Sequence, residues 1–241
     1  MVEGSLSIAF LLATLAGAAI PLGAWLATLD RLLPVWSDHE LRHTVAAFGA
    51  GALVAAVGLV LVPHGTEHLT MGPALALFGA GGLVFFLLDR AIARRGGHIA
   101  LFIALMVDFL PEALALGTLL RSYPHEALML AILVAVQNLP DAFSAGRQLR
   151  RHGDMDRRWL IVLFVAVVPL GPLAAGLGWF VLADSPHILG AILMFSAGGI
   201  LYLLFEDIAP QVALKRHWAP PLGAVAGFGV GLATYMALGS G

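Results

Sequence analysis

The chain has 241 residues, of which 60% are hydrophobic and only 12% charged, with 13 Lys and Arg against 15 Asp and Glu. A soluble domain keeps about a quarter of its residues charged, so a mean hydropathy of +0.92 assigns this chain to the membrane. The absence of cysteine excludes disulfides, thiolate metal sites and cysteine catalysis.

Crossing roughly 30 Å of hydrocarbon takes about 20 helical residues. Eight stretches qualify: 5–29, 44–63, 73–90, 99–121, 125–148, 158–182, 187–209 and 219–239. They predict an all-α membrane protein in which residues 1–241 form a single integral domain with short connections. The first stretch is too long for a signal peptide, lacks a basic n-region and is followed by seven more, so it is read as a span.

Segment two contains Phe48-Gly49-Ala50-Gly51-Ala52-Leu53 and reaches Pro63 fifteen residues after its Phe. Segment seven contains Phe195-Ser196-Ala197-Gly198-Gly199-Ile200 and reaches Pro210 at the same distance. Alternating topology runs these two segments in opposite directions, the pattern of inverted-repeat transporters that bind substrate near the midplane. After segment two, His64-Gly65-Thr66-Glu67-His68 spells the H-x-x-E-H arrangement of one metallopeptidase class. That chemistry needs both histidines on one helix face and a third ligand. The run is expected in a loop, with His64, Glu67 and His68 either solvated at headgroup level or forming a metal-collecting vestibule. Segment three clusters Gly79, Gly81 and Gly82.

Segments four and five carry nearly the same polar interruption: Asp108-Phe109-Leu110-Pro111-Glu112-Ala113 and Gln137-Asn138-Leu139-Pro140-Asp141-Ala142. Carboxylates at membrane depth cost roughly 2.5–3.5 kcal/mol each, so a function is the default explanation. Positions four apart share a helix face, which points Asp108 with Glu112 and Gln137 with Asp141. Pro111 and Pro140 lack an N–H, and the spacing predicts two helices that break at matching places and leave carbonyls in need of a partner. With Ser122 to Pro124 as the only link, the two segments are expected to lie antiparallel. Asp108, Glu112 and Asp141 then supply negative charge and Gln137 and Asn138 amide oxygens, a set suited to a divalent cation.

Segment six contains no carboxylate. Segment seven ends with Glu206, Asp207 and Gln211, which either snorkel at the interface or form an exit station. Segment eight spaces Gly223, Gly227 and Gly231 four apart. Such faces permit close helix packing within the bundle or in a homodimer. The loops after segments one, three, five and seven hold all Lys and Arg except Arg121, which by the positive-inside rule makes those loops cytoplasmic and both termini external. No phosphate-binding glycine loop is present, and the basic residues are topology charges rather than a nucleic-acid surface.

The Pro-acid pair resembles the signature of the ZIP (Zrt/Irt-like) metal transporters, whose fourth helix carries His-Asn-x-Pro-Glu-Gly and whose fifth carries His-x-x-Pro-Glu-Gly. Pro111-Glu112-Ala113-Leu114-Ala115-Leu116-Gly117 is the nearest match, and the small-residue segment two and the end of segment seven, Tyr202 to Pro210, extend the likeness. The resemblance implies a ZIP-like bundle with a metal path between helices four and five, worked by an elevator-like movement of one helix group against another. The departures are specific. Asp108 and Gln137 stand where the family has histidines, Phe109 replaces an asparagine, and the bridging glutamate that some relatives carry in segment six is missing. One metal site remains where the family often has two. Its oxygen-only donors favour harder cations and predict weaker zinc affinity and broader selectivity.

The expected activity is therefore transport of zinc, manganese or iron(II) toward the cytoplasm, without enzymatic chemistry or an organic cofactor, in a bacterial inner membrane. A metal-binding membrane protein that no longer transports, such as a sensor or assembly factor, is the alternative. A membrane hydrolase using the buried acids comes third.

Overall fold

Apolar, alanine- and glycine-rich stretches fold as helices in a membrane because every backbone N–H and C=O must be satisfied within the segment. The computed structural model describes residues 5–29, 39–95, 99–152, 156–182, 185–208 and 219–239. Its helices are α1 (Leu6–Ala27), α2 (His39–Ala56), α3 (Val62–Glu67), α4 (Met71–Arg95), α5 (Ile99–Ser122), α6 (Pro124–His152), α7 (Arg157–Val165), α8 (Leu170–Leu177), α9 (Pro186–Leu203) and α10 (Ala219–Gly239). Three π-helical turns extend or join them, at Val57–Leu61, Gly178–Leu182 and Leu204–Ile208. Among the described residues these pieces line up as eight rods. Seven stretches are long and apolar enough to cross a membrane: Leu6–Ala27, His43–Glu67, Met71–Ile92, Pro124–Arg150, Arg157–Phe180, Pro186–Glu206 and Ala219–Leu238. The protein is thus a multi-pass helical membrane protein. The remaining rod, α5, has 24 residues and carries Asp108, Glu112 and Arg121.

Two expectations are corrected. α5 and α6 do not break at their prolines; both run as continuous α-helix through Pro111 and Pro140. The irregular turns lie elsewhere, and the first of them, Val57–Leu61, stands just before Pro63 of α3 in the same continuing helix. A proline ring clashes with the carbonyl four residues earlier, and a wider π turn is one way to move that carbonyl aside. The first and third π turns each begin nine residues after the phenylalanine of their similar segments, Phe48 and Phe195. The second correction concerns His64: it lies in α3, a helical continuation of α2, and is buried at 8% exposure rather than solvated in a loop.

Small residues set how the rods pack. Lipid is as apolar as leucine, so helices associate where glycine and alanine let backbones approach. α1 turns Ala9, Ala13, Ala16, Gly17, Ile20, Gly23, Ala24 and Ala27 inward, and leaves Leu11, Leu15 and Leu22 facing out. Gly23 abuts the Leu139 carbonyl and Gly146 abuts Ala24 and Ala27, so α1 and α6 run parallel. Gly223 meets Thr44, Gly227 the Phe48 carbonyl and Gly231 Ala55, so α10 runs parallel to α2. Gly81 meets the Phe195 carbonyl and Gly199 the Phe85 ring, which makes α9 parallel to α4.

The last two pairs match position for position. Gly51 seats against the Ala224 carbonyl while Gly227 seats against Phe48; Gly198 seats against the Phe78 carbonyl while Gly81 seats against Phe195. The segment-eight glycines Gly223, Gly227 and Gly231, with Gly81 of segment three, are therefore used inside the chain. α5 in turn lies along α8, with Gly117 on the Ala175 carbonyl and Gly178 on that of Leu114.

Candidate functional site

Tyr123 is the only non-helical residue between α5 and α6, so the two helices fold back on each other as neighbours. Antiparallel packing then brings the two Pro-acid segments to one level. Glu112, fully buried, accepts a hydrogen bond at Oε1 from Gln137 Nε2 at 2.5 Å. Asp108 and Asp141 both act electrostatically on Glu112. Three of the other four sequence-predicted ligands, Asp108, Gln137 and Asp141, thus act on the Glu112 carboxylate. The fifth, Asn138, is fully buried but directs its Nδ2 to the Ala16 carbonyl of α1 at 3.2 Å. This bond ties α6 to α1.

Three buried oxygens at this level have no hydrogen-bond partner among the described residues: Glu112 Oε2, Gln137 Oε1 and Asn138 Oδ1. Leaving such groups unpaired in a low-dielectric interior is unfavourable, so each invites a ligand. Gln137 currently serves Glu112 as a donor. A half-turn of its amide would present the oxygen instead and put two acceptors side by side. No three His, Asp or Glu side chains among the described residues converge closely enough to hold a metal ion as they stand.

Phe109 does not face this group. Its ring fills a niche between α1 and α8: a methyl added at Gly17 or Gly171 would lie 3.0 or 2.8 Å from Phe109 Cζ. Pro140 packs on α2, where a methyl at Gly49 would sit 3.1 Å from its Cγ.

The site is asymmetric along the helices. Toward Tyr123, α5 and α6 contribute Leu116, Leu119, Leu120, Leu130 and Leu133, all at most 1% exposed. This apolar layer fills about 15 Å of helix between the turn and Glu112. On the opposite side, one turn away from Glu112 and Gln137, lie Asp108 and the half-buried Asp141. That side leads to the end of α6 that holds Arg147 and Arg150, whose guanidinium donates to the Ala27 carbonyl at 3.0 Å.

The H-x-x-E-H residues meet at the Tyr123 end. Tyr123 donates to Glu67 Oε2 at 2.8 Å and lies 3.1 Å from His68 Nε2. His64 places Nδ1 2.9 Å from the Val60 carbonyl and Nε2 3.6 Å from Glu126 Oε1. Burial, followed by the Glu67 hydrogen bond, pushes the Tyr123 phenol up to about 12. Sequence reasoning missed both Tyr123 and Glu126; the signal available was a tyrosine and an acid at the short link between the two Pro-acid segments. At the other end, Glu206 is exposed in the last π turn beside Tyr202, whose hydroxyl donates to Asp89 at 3.1 Å. The side chain of Asp207, together with Pro210, Gln211, Lys215 and Arg216, lies outside the described residues.

No protein-family model matches the chain, and no curated protein matches its sequence.

Proposed function

We propose that the chain is an eight-span, ZIP-like transporter that carries divalent metal cations toward the cytoplasm between α5 and α6. The observation that carries this reading is the hydrogen-bonded Glu112–Gln137 pair, buried at membrane depth with an open oxygen on each partner. A carboxylate in that position is expensive unless it meets a cation during function. Asp108 and Asp141 add charge on one side, so Asp108, Glu112, Gln137 and Asp141 are the proposed first ligands, with Asn138 Oδ1 as an auxiliary donor. The metal ion is the substrate, and no organic cofactor or covalent step is involved.

Helix polarity supports eight crossings. α1 with α6, α2 with α10 and α4 with α9 pack in parallel, and each pair encloses α5 in the chain. Were α5 to turn back on the side it entered, each pair would run antiparallel. An even number of crossings returns the two ends to one side, and the arginines after α4 and α6 make that side external. The matched glycine seats of the α2–α10 and α4–α9 pairs support an inverted repeat. A bacterial inner membrane is the proposed location.

Flux into proteoliposomes tests the reading. We expect zinc and manganese to enter at comparable rates, since the donors are all oxygen, and Glu112→Ala to abolish both. Metal bound without flux would identify the non-transporting alternative. Absence of both binding and flux would overturn the assignment.

A further inference from the structure

The helices fall into packing groups. α1, α5, α6, α7 and α8 form one group, α2 pairs with α10 and α4 with α9, and the groups also touch where α2 packs along α6 and α9 meets α5. At one end of the molecule, a knot of polar side chains bridges these groups. Tyr123 belongs to the α5–α6 turn, yet its hydroxyl sits between Glu67 and His68 at the end of α3. Its ring stands edge-on to His64, with centroids 4.6 Å apart. Glu126, one helical turn into α6, approaches the same histidine. His187 Nδ1 lies 2.9 Å from the His68 carbonyl and brings the start of α9 into the knot. Beneath it lies the leucine layer above Glu112 and Gln137.

We propose that Tyr123 is the latch of an outer gate: its hydroxyl clamps the α5–α6 turn onto α3 and keeps the leucine layer closed over the buried carboxylate–amide pair. "Outer" and "gate" rest on the transport reading; the clamp itself rests on the geometry. The structure is then closed at the Tyr123 end, and the flank with Asp108 and Asp141 leads to the other end. Opening the outer path requires the phenol to leave Glu67 and His68, after which the α5–α6 turn can part from α3. A phenol suits this task because its hydrogen bond to a carboxylate is charge-assisted.

The absence of cysteine makes the test clean, since a single introduced thiol is unique. Leu119→Cys places that thiol in the leucine layer of the full-length chain in proteoliposomes. A small, charged, membrane-impermeant thiol reagent is added on the Tyr123 side. Modification should be slow in this parent and about threefold to tenfold faster with Tyr123→Phe, the range expected for losing one hydrogen bond. Glu67→Ala removes the acceptor from the opposite partner and should accelerate modification similarly, which guards against a fold defect peculiar to the tyrosine variant. Unchanged rates in both variants, with helical content and elution volume retained, would overturn the latch. Faster modification without metal flux would uphold the latch and sink the transport reading; flux with unchanged modification would do the reverse.

Discussion

Glu67 and Tyr123 illustrate how a single side chain can report its surroundings. An ordinary tyrosine ionises near 10, whereas burial and the bond to Glu67 move Tyr123 to about 12, with the charges of Glu67 and Glu126 acting the same way. The folded state therefore favours the protonated phenol. Its contribution to stability is complete below about pH 10 and is lost as the pH rises through 12. Tyr202 and Tyr235 are the only other tyrosines, so tyrosinate absorbance can isolate this group. The difference between wild-type and Tyr123→Phe titrations should have its midpoint near 12 and move down in Glu67→Ala; a midpoint at the ordinary value would show that the phenol is not held. At this scale the sequence was informative about chemistry and weak about direction. Helical periodicity grouped Asp108 with Glu112 and Gln137 with Asp141, and the short turn placed the pairs face to face. Periodicity could not show that the Asn138 amide turns to Ala16, or that Phe109 sits in a niche cut by Gly17 and Gly171. Both depend on which groups of other helices lie opposite, and that is tertiary information.

Glycines act on helices according to what stands across from them. Gly198 and Gly79 are both internal to apolar helices, yet a methyl at Gly198 would run into the Phe78 carbonyl, whereas one at Gly79 meets nothing within 4 Å. Gly198→Ala must push α9 from α4 and is expected to destabilise the protein by about 1–3 kcal/mol. Gly79→Ala should be neutral or stabilising by roughly 0.5–1 kcal/mol through helix propensity. Thermal unfolding in detergent compares the two directly; equal midpoints would mean that α4 and α9 do not approach as closely as described. The helices themselves were legible from hydropathy, and most of their ends fall within a few residues of the predicted ones. What hydropathy could not supply is internal regularity. The sixth predicted segment is α7, a bend at residues 166–169, α8 and a π turn, whereas the two proline-bearing helices stay whole. A proline inside a helix removes one hydrogen bond, but whether the helix yields there or at a neighbouring turn is decided by packing. α5 and α6 are held on several sides, by each other and by α1 and α8.

Polarity links these local seats to the whole molecule. Each of the parallel pairs α1–α6, α2–α10 and α4–α9 is separated in the chain by an even number of reversals only if α5 crosses the membrane like its neighbours. α5 carries Asp108, Glu112 and Arg121, each costly at membrane depth, so its crossing needs support beyond hydropathy. Three independent packing contacts argue for it. The consequence can be measured with single cysteines in this cysteine-free chain. A thiol at Ser5, one at Ser122 beside the α5–α6 turn and one at Met236 near the end of α10 should all react with an impermeant reagent on the same face of sealed, oriented vesicles, while one at Arg150 should react only from the opposite face. If α5 instead turned back within the bilayer, Ser122 and Met236 would change faces relative to Ser5. That result would dismantle the proposed eight-crossing topology, and with it the proposed placement of Tyr123 outside, because in that topology the same four crossings that carry α5 across also carry the latch to the face where the chain begins.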